Sequence, residues 1–176
     1  ERFFKHLIRF FEIMDIKEAD FVGNSMGGSN LARIAAAPPM IFPMRSIVLA
    51  SGGGFAPSTP ARQQLLDYDG SPKAMRMLLD GLFYNKKKWV DNPSYIRKRQ
   101  KLATLPGAWE CAAAVRFKRP TIKSSGGQFG NPDNTPYENI SIPTLMIAGK
   151  QDQLRERGYA TKVAKRIKGA KVSVYD

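Results

Sequence analysis

The 176-residue chain reads as an α/β domain, a parallel sheet with flanking helices that is interrupted by a helical insertion. Three observations predict this. Short apolar runs of strand length alternate with helical patterns near both ends of the chain. A glycine-rich turn joins one of these runs directly to a helix. Between residues 55 and 137 the strand signal disappears and helical stretches replace it. Alternation of this kind predicts helices on both faces of the sheet.

The elements follow in order. Phe3, Phe4, Leu7, Ile8, Phe10, Phe11 and Ile13 recur at helical spacing, so residues 2 to 16 predict an amphipathic helix ending near Asp15. Ala19-Asp20-Phe21-Val22-Gly23 is a short buried strand that enters the glycine-rich turn. Ser29 to Ala37 is alanine-rich and helical until Pro38-Pro39 stops it. Arg45 to Ser51 is a second strand, closed by Gly52-Gly53-Gly54. Helical stretches then follow, broken at Asp69-Gly70-Ser71-Pro72, Asn92-Pro93 and Pro106-Gly107, and a polar loop runs from Lys123 to Pro136. Ile142 to Gly149 is a strand, residues 155 to 168 a basic helix, and Lys171 to Tyr175 a last strand. The expected domains are therefore 1–54, a core half carrying the turn; 55–137, a helical lid; and 138–176, the continuation of the core.

Composition narrows the function classes. A 43% hydrophobic content suffices for a buried core, and no apolar stretch has membrane-spanning length. The single cysteine, Cys111, excludes an internal disulfide and fits a cytoplasmic location. The start, Glu1-Arg2-Phe3-Phe4-Lys5-His6, has neither an initiator Met nor a signal-peptide pattern. The formal charge of +13 raises a nucleic-acid reading. Residues 55–137 carry fourteen Lys or Arg against six Asp or Glu, yet zinc spacing, RNA-recognition and helix-turn-helix patterns are missing. A solvated basic surface is the expectation, with a preference for anionic substrates as the alternative, and neither a nucleic-acid nor a membrane partner is expected.

The chemistry lies in Gly23-Asn24-Ser25-Met26-Gly27-Gly28. A strand ending in Gly-x-Ser-x-Gly and opening into a helix is a nucleophile elbow: the sharp turn exposes the serine hydroxyl, and the helix N-terminus favours developing negative charge. Ser25 is the candidate nucleophile, and the Met26 amide a candidate oxyanion donor. A phosphate-binding loop is excluded, because no Gly-Lys-Ser/Thr ending follows.

This stretch resembles the α/β-hydrolase superfamily, particularly the carbon–carbon bond hydrolases of aromatic meta-cleavage pathways and related serine esterases. Tyr137-Glu138-Asn139-Ile140-Ser141-Ile142-Pro143-Thr144-Leu145 looks like the approach to the strand before the catalytic acid in these enzymes. Gly149-Lys150-Gln151-Asp152 looks like their Gly-x-x-Asp, which makes Asp152 the implied triad acid, although such a tetrapeptide also describes an ordinary turn. Arg99, followed by Pro106-Gly107-Ala108-Trp109-Glu110, looks like their lid segment. Asn24, Arg99 and Trp109 are the implied substrate-binding residues. The resemblance implies a partial α/β-hydrolase fold with a helical lid insertion, a small-molecule carbonyl substrate and no cofactor or metal. It leaves ester and carbon–carbon cleavage open. Serine at the nucleophile position excludes branches that form an ester intermediate on aspartate.

One member of the expected triad is missing. The only histidine, His6, lies on the helix before the elbow strand and is expected to be structural or exposed. The resemblance places the triad histidine after the last strand, and the early strands and second oxyanion amide ahead of Glu1. The chain therefore reads as a fragment, inactive by itself for want of its base. An elbow strand with an unpaired edge predicts self-association. A non-catalytic binding module on the same fold is the competing expectation.

Overall fold

The computed structural model describes residues 2–38, 42–108 and 129–176. In chain order its elements are α1 (Arg2–Ile13), β1 (Ala19–Asn24), α2 (Met26–Ala36), β2 (Met44–Ala50), α3 (Pro60–Leu66), α4 (Pro72–Leu82), α5 (Lys86–Trp89), α6 (Pro93–Ala103), a 3-10 turn (Tyr137–Asn139), β3 (Thr144–Gly149), α7 (Tyr159–Ala164) and β4 (Lys171–Tyr175). They form two compact units. The first contains Glu1–Phe55, Pro132–Lys150 and Arg157–Asp176, and the second Ala56–Asn131 with Gln151–Glu156. The predicted lid ran to Tyr137, but Pro132 to Tyr137 packs with the sheet, because the Tyr137 side chain is buried in that unit's core.

In the first unit four parallel strands lie in the order β1-β2-β3-β4. Parallel crossovers are right-handed, so an order that never reverses sends the connecting helices to one face. Phe21 pairs in register with Ile47, Leu49 with Met146, and Met146 with Val172, so these side chains share that face. They gather with Leu31 and Ile34 of α2 and with Ala160 and Val163 of α7 in a single core. From α1, Phe11 stacks on Phe21 with ring centroids 5.4 Å apart. The expectation of helices on both faces is corrected here: among the described residues this unit's helices share one face. On the other, Val22 is 75% exposed. Fully burying an aliphatic side chain contributes about 1.5–3 kcal/mol, and Ile47, Leu49 and Met146 are buried at the sheet centre.

Local chemistry sets the boundaries. The first helix stops at Ile13, ahead of Asp15 in a left-handed conformation. The helix expected over 155–168 shortens to Tyr159–Ala164, because Gly158 starts it from a left-handed cap and residues 151–156 pack with the second unit. At the start of β1, Asp20 accepts from Ser46 Oγ (2.8 Å) and Arg45 Nε (3.0 Å). Arg45 and Ser46 hold its carboxyl at about 2, well below the usual range.

Two of the breaks read from the sequence in the second unit are helix caps. Ser71 Oγ accepts from the Ala74 amide and Asn92 Oδ1 from the Tyr95 amide, each followed by a proline at the first helical position. Tyr68, Met75, Leu78, Leu79 and Val90 form the core of this unit. Beside it Phe83, Trp89 and Tyr95 make a ring cluster, with Trp89 and Tyr95 centroids 4.8 Å apart. Among the described residues no helix is long and apolar enough to cross a membrane.

The outer edge of β1 pairs with no strand among the described residues, and Val22 of that strand is exposed on the open face. Such an edge is a template for another chain. Size-exclusion elution is expected to shift to larger species as concentration rises, and Val22→Lys should reduce the shift. A single monomer peak at every concentration would count against this.

Candidate functional site

Ser25 joins β1 to α2 with φ 51° and ψ −114°, a conformation L-residues rarely adopt and one that costs about 1–3 kcal/mol. The surroundings hold it there. The Ser25 amide donates to the Ala50 carbonyl of β2 (2.8 Å), and the Ser25 carbonyl accepts from the Ser29 amide (3.0 Å). The Ser25 side chain makes no capping bond, so its half-buried hydroxyl is not spent on the helix. Met26 is the first residue of α2, and its N–H is therefore among the donors that a helix leaves unsatisfied. Asn24 is exposed at the end of β1, with its amide donating to the Ala50 carbonyl at 3.4 Å. The structure thus brings Asn24, Ser25 and Met26 together at one strand-to-helix junction. His6 is exposed on α1.

The turn is possible because backbones touch. A Cβ on Gly23 would lie 2.6 Å from the Gly28 nitrogen, and one on Gly28 would lie 2.7 Å from the Gly23 oxygen. A Cβ on Gly52, in the loop after β2, would lie 2.7 Å from both the Gly28 Cα and the Ser25 oxygen. Gly27 differs: a Cβ there meets nothing within 4 Å. The sequence motif emphasises Gly23 and Gly27. The structure transfers the steric requirement to Gly23, Gly28 and Gly52.

Two side chains that sequence reasoning left without a role support this junction. The Tyr137 hydroxyl accepts from the Gly54 amide (2.6 Å) and donates to Asp133 Oδ2 (2.7 Å). Asp133 Oδ1 accepts from Thr135 Oγ1 at 2.7 Å. Burial, together with the Asp133 carboxylate, pushes the Tyr137 phenol up to about 12. Burial alone would raise Asp133, but hydrogen bonds from Thr135 and Tyr137 outweigh it and leave the carboxyl lowered.

The second unit holds Asp152 and Arg99. Asp152 follows the end of β3 by three residues, and its Oδ1 accepts from the Leu154 amide (2.8 Å). Arg62, 7% exposed, donates through Nε (2.9 Å) and Nη2 (2.6 Å) to the Leu154 carbonyl, fastening the loop that carries Asp152. Its guanidinium sits over the Phe129 ring at 4.7 Å. Burial lowers the Arg62 pKa, as does repulsion from Arg155, while Asp152 opposes both. No local pattern distinguishes Arg62 from the other basic residues of its unit, so only burial identifies it. Arg99 is exposed on α6, and Trp109 lies outside the described residues. Among the described residues no group of His, Cys, Asp and Glu could hold a metal ion.

A parallel sheet with a strained serine at a strand-to-helix junction is the α/β-hydrolase arrangement, and the chain has a partial α/β-hydrolase fold. Comparison with known proteins agrees with the sequence resemblance. The 2-hydroxymuconate semialdehyde hydrolase of Pseudomonas putida is 27% identical over 174 residues, covering 99% of this chain and 60% of that protein. The meta-cleavage product hydrolase CumD of Pseudomonas fluorescens IP01 superposes with a TM-score of 0.78 at 22% identity, over 97% of this chain and 60% of that one. The enol-lactonase of Burkholderia xenovorans LB400 follows at 0.66 and 17%, over 97% and 62%. The chain thus spans about 60% of the length of the P. putida relative. No protein-family model matches it.

Two predictions follow from this geometry. Gly52→Ala forces a Cβ into backbone and should cost about 1–3 kcal/mol, whereas Gly27→Ala should be neutral or stabilising by up to about 1 kcal/mol; urea midpoints at constant slope distinguish them. Stability should also narrow at both pH extremes. Asp20 and Asp133 are lowered on folding, so their contribution is full above the ordinary value of 3.8 and is lost as pH falls through their folded values. Tyr137 is raised, so its contribution is full below 10.0 and is lost as pH rises to about 12. Asp133→Asn should flatten the acid limb and Tyr137→Phe the alkaline limb in urea titrations across pH.

Proposed function

We propose that this chain carries the nucleophile of an α/β-fold serine hydrolase acting on a carbonyl substrate. Ser25 attacks the carbonyl, the Met26 amide donates to the oxyanion, and Asp152 orients the imidazole that serves as base. The observation that carries this reading is the backbone of Ser25, held at φ 51° between strand and helix with its hydroxyl uncommitted to capping. The substrate we favour is a 2-hydroxy-6-oxo-dienoate-like acid cleaved at a carbon–carbon bond. The name of the P. putida relative supports it, as do the basic residues of the second unit, Arg99 among them. The lactonase likeness keeps ester hydrolysis beside it. Asn24 and Trp109 complete the proposed substrate contacts. The lone Cys111 fits a cytoplasmic protein, and the edge of β1 that pairs with no strand among the described residues fits a self-associating one.

The base is not His6, which is exposed on α1. The chain therefore needs an imidazole from elsewhere. Loss of the triad histidine costs on the order of 10^6 in kcat in a well-characterised serine hydrolase, so turnover by these 176 residues alone is expected to be negligible. The single exposed histidine also favours a second reading, a binding module that keeps the fold without catalysis.

A fluorophosphonate probe separates the two. The expected result is slow adduct formation that maps to Ser25, disappears in Ser25→Ala and accelerates when free imidazole is added. No adduct at Ser25 even after prolonged exposure with free imidazole added would overturn the activated serine and leave the binding module.

A further inference from the structure

We infer that Tyr137 and Asp133 are positioning residues for the nucleophile turn, acting through the loop that follows β2. The inference deepens the proposed function, since it takes Ser25 as the nucleophile.

The loop is difficult to hold in place by its own sequence. Ser51, Gly53 and Gly54 have φ of 49°, 75° and 71°, so three of the four residues after β2 are left-handed. Yet this loop presses on the elbow. Gly52 lies against the Gly28 Cα and the Ser25 carbonyl so closely that no side chain fits between them. Ser29 ties the two together: its Oγ accepts from the Gly53 amide (3.1 Å) and donates to the Ser25 carbonyl (3.4 Å). If the loop moves, the carbonyl of the nucleophile loses one neighbour and the strained turn loses a wall.

Tyr137 fixes the far side of the loop. It is 1% exposed, and its hydroxyl proton is directed to Asp133, so a lone pair remains aimed at the Gly54 amide. Asp133 is itself oriented by the hydroxyl and amide of Thr135, at 2.7 and 3.3 Å. The same short turn reaches the other end of the nucleophile helix, where Asn139 Nδ2 donates to the Ala36 carbonyl at the C-terminus of α2 (3.2 Å). Arg166 braces the turn from outside, pairing with Glu138 and lying over the Tyr137 ring at 4.9 Å. The Tyr137–Asn139 turn therefore brackets α2 at both ends, and the hydrogen bonds run Asp133, Tyr137, Gly54 on one side and Gly53, Ser29, Ser25 on the other. A phenol is protonated across the physiological range, and burial pushes this one further up, so the bracket keeps its donor.

A buried tyrosine that only filled the core would stabilise the unit without favouring the elbow. The test is native-state amide exchange in the full chain carrying Tyr137→Phe, which removes one oxygen, and Asp133→Asn, which leaves the ring untouched should the first variant fold poorly. Exchange at Gly53, Gly54, Ser25 and Ser29 is expected to rise about tenfold or more relative to the amides of β3. Combined with Ser29→Ala, Tyr137→Phe should act non-additively at Ser25. A rise confined to Gly54, a rise shared equally by β3, or additive effects at Ser25 would each overturn the inference. Fluorophosphonate labelling of Ser25 should slow in the same variants. If the unmodified chain takes no adduct even with free imidazole added, the proposed function fails, and the exchange pattern still decides whether the bracket exists.

Discussion

The close approach of three glycine backbones underlies the rest of the candidate site. Gly23 at the end of β1, Gly28 in the first turn of α2 and Gly52 after β2 meet with no room for a Cβ. That contact lets helix, strand and loop converge behind Ser25, and it confines the serine to a conformation that a free chain would leave. A left-handed non-glycine residue persists only where its surroundings over-determine it. Here they do so with two backbone hydrogen bonds and a wall of backbone.

The sheet supplies the platform. Its strand order never reverses, so α1, α2 and α7 share one face and bury Ile47, Leu49 and Met146 beneath them. One consequence is a junction with a firm underside. Another is a face free of this unit's helices among the described residues, on which Val22 is exposed. The polar groups of this unit follow the same logic. Asp20 with Arg45, and Glu138 with Arg166, are exposed pairs that contribute little each. Asp133 is half-buried and satisfied by Tyr137 and Thr135, where removing a partner has greater consequence.

In the second unit the buried cation is the organising group. A guanidinium taken out of water must find acceptors, and Arg62 places both donors on one carbonyl of the loop that carries Asp152. The loop that carries the proposed acid is thereby tied to α3 rather than left to its own turn chemistry. This explains why residues 151–156 pack with the helices of the second unit although they directly follow β3.

Much of the fold was legible in the sequence, because its signals are local. Short apolar runs marked β1 to β4, the breaks at Ser71-Pro72 and Asn92-Pro93 marked the starts of α4 and α6, and Gly-x-Ser-x-Gly marked the strand-to-helix turn. The short α7 and the one-sided placement of the core helices were not legible, since a left-handed Gly158 and the order of strands in the sheet are not written in local periodicity. The site divides in the same way. By itself the sequence marked Ser25 and its neighbouring amide as candidates and carried the resemblance that points to Asp152, because residue type and spacing are what such a motif is read from. Only the tertiary structure decided that Gly28 and Gly52, rather than Gly27, are sterically required. It alone showed that Tyr137 and Arg62 are buried, that Asp133 is half-buried, and that all three are hydrogen-bonded. The reason is physical: steric exclusion and buried hydrogen bonds arise between segments that are far apart along the chain.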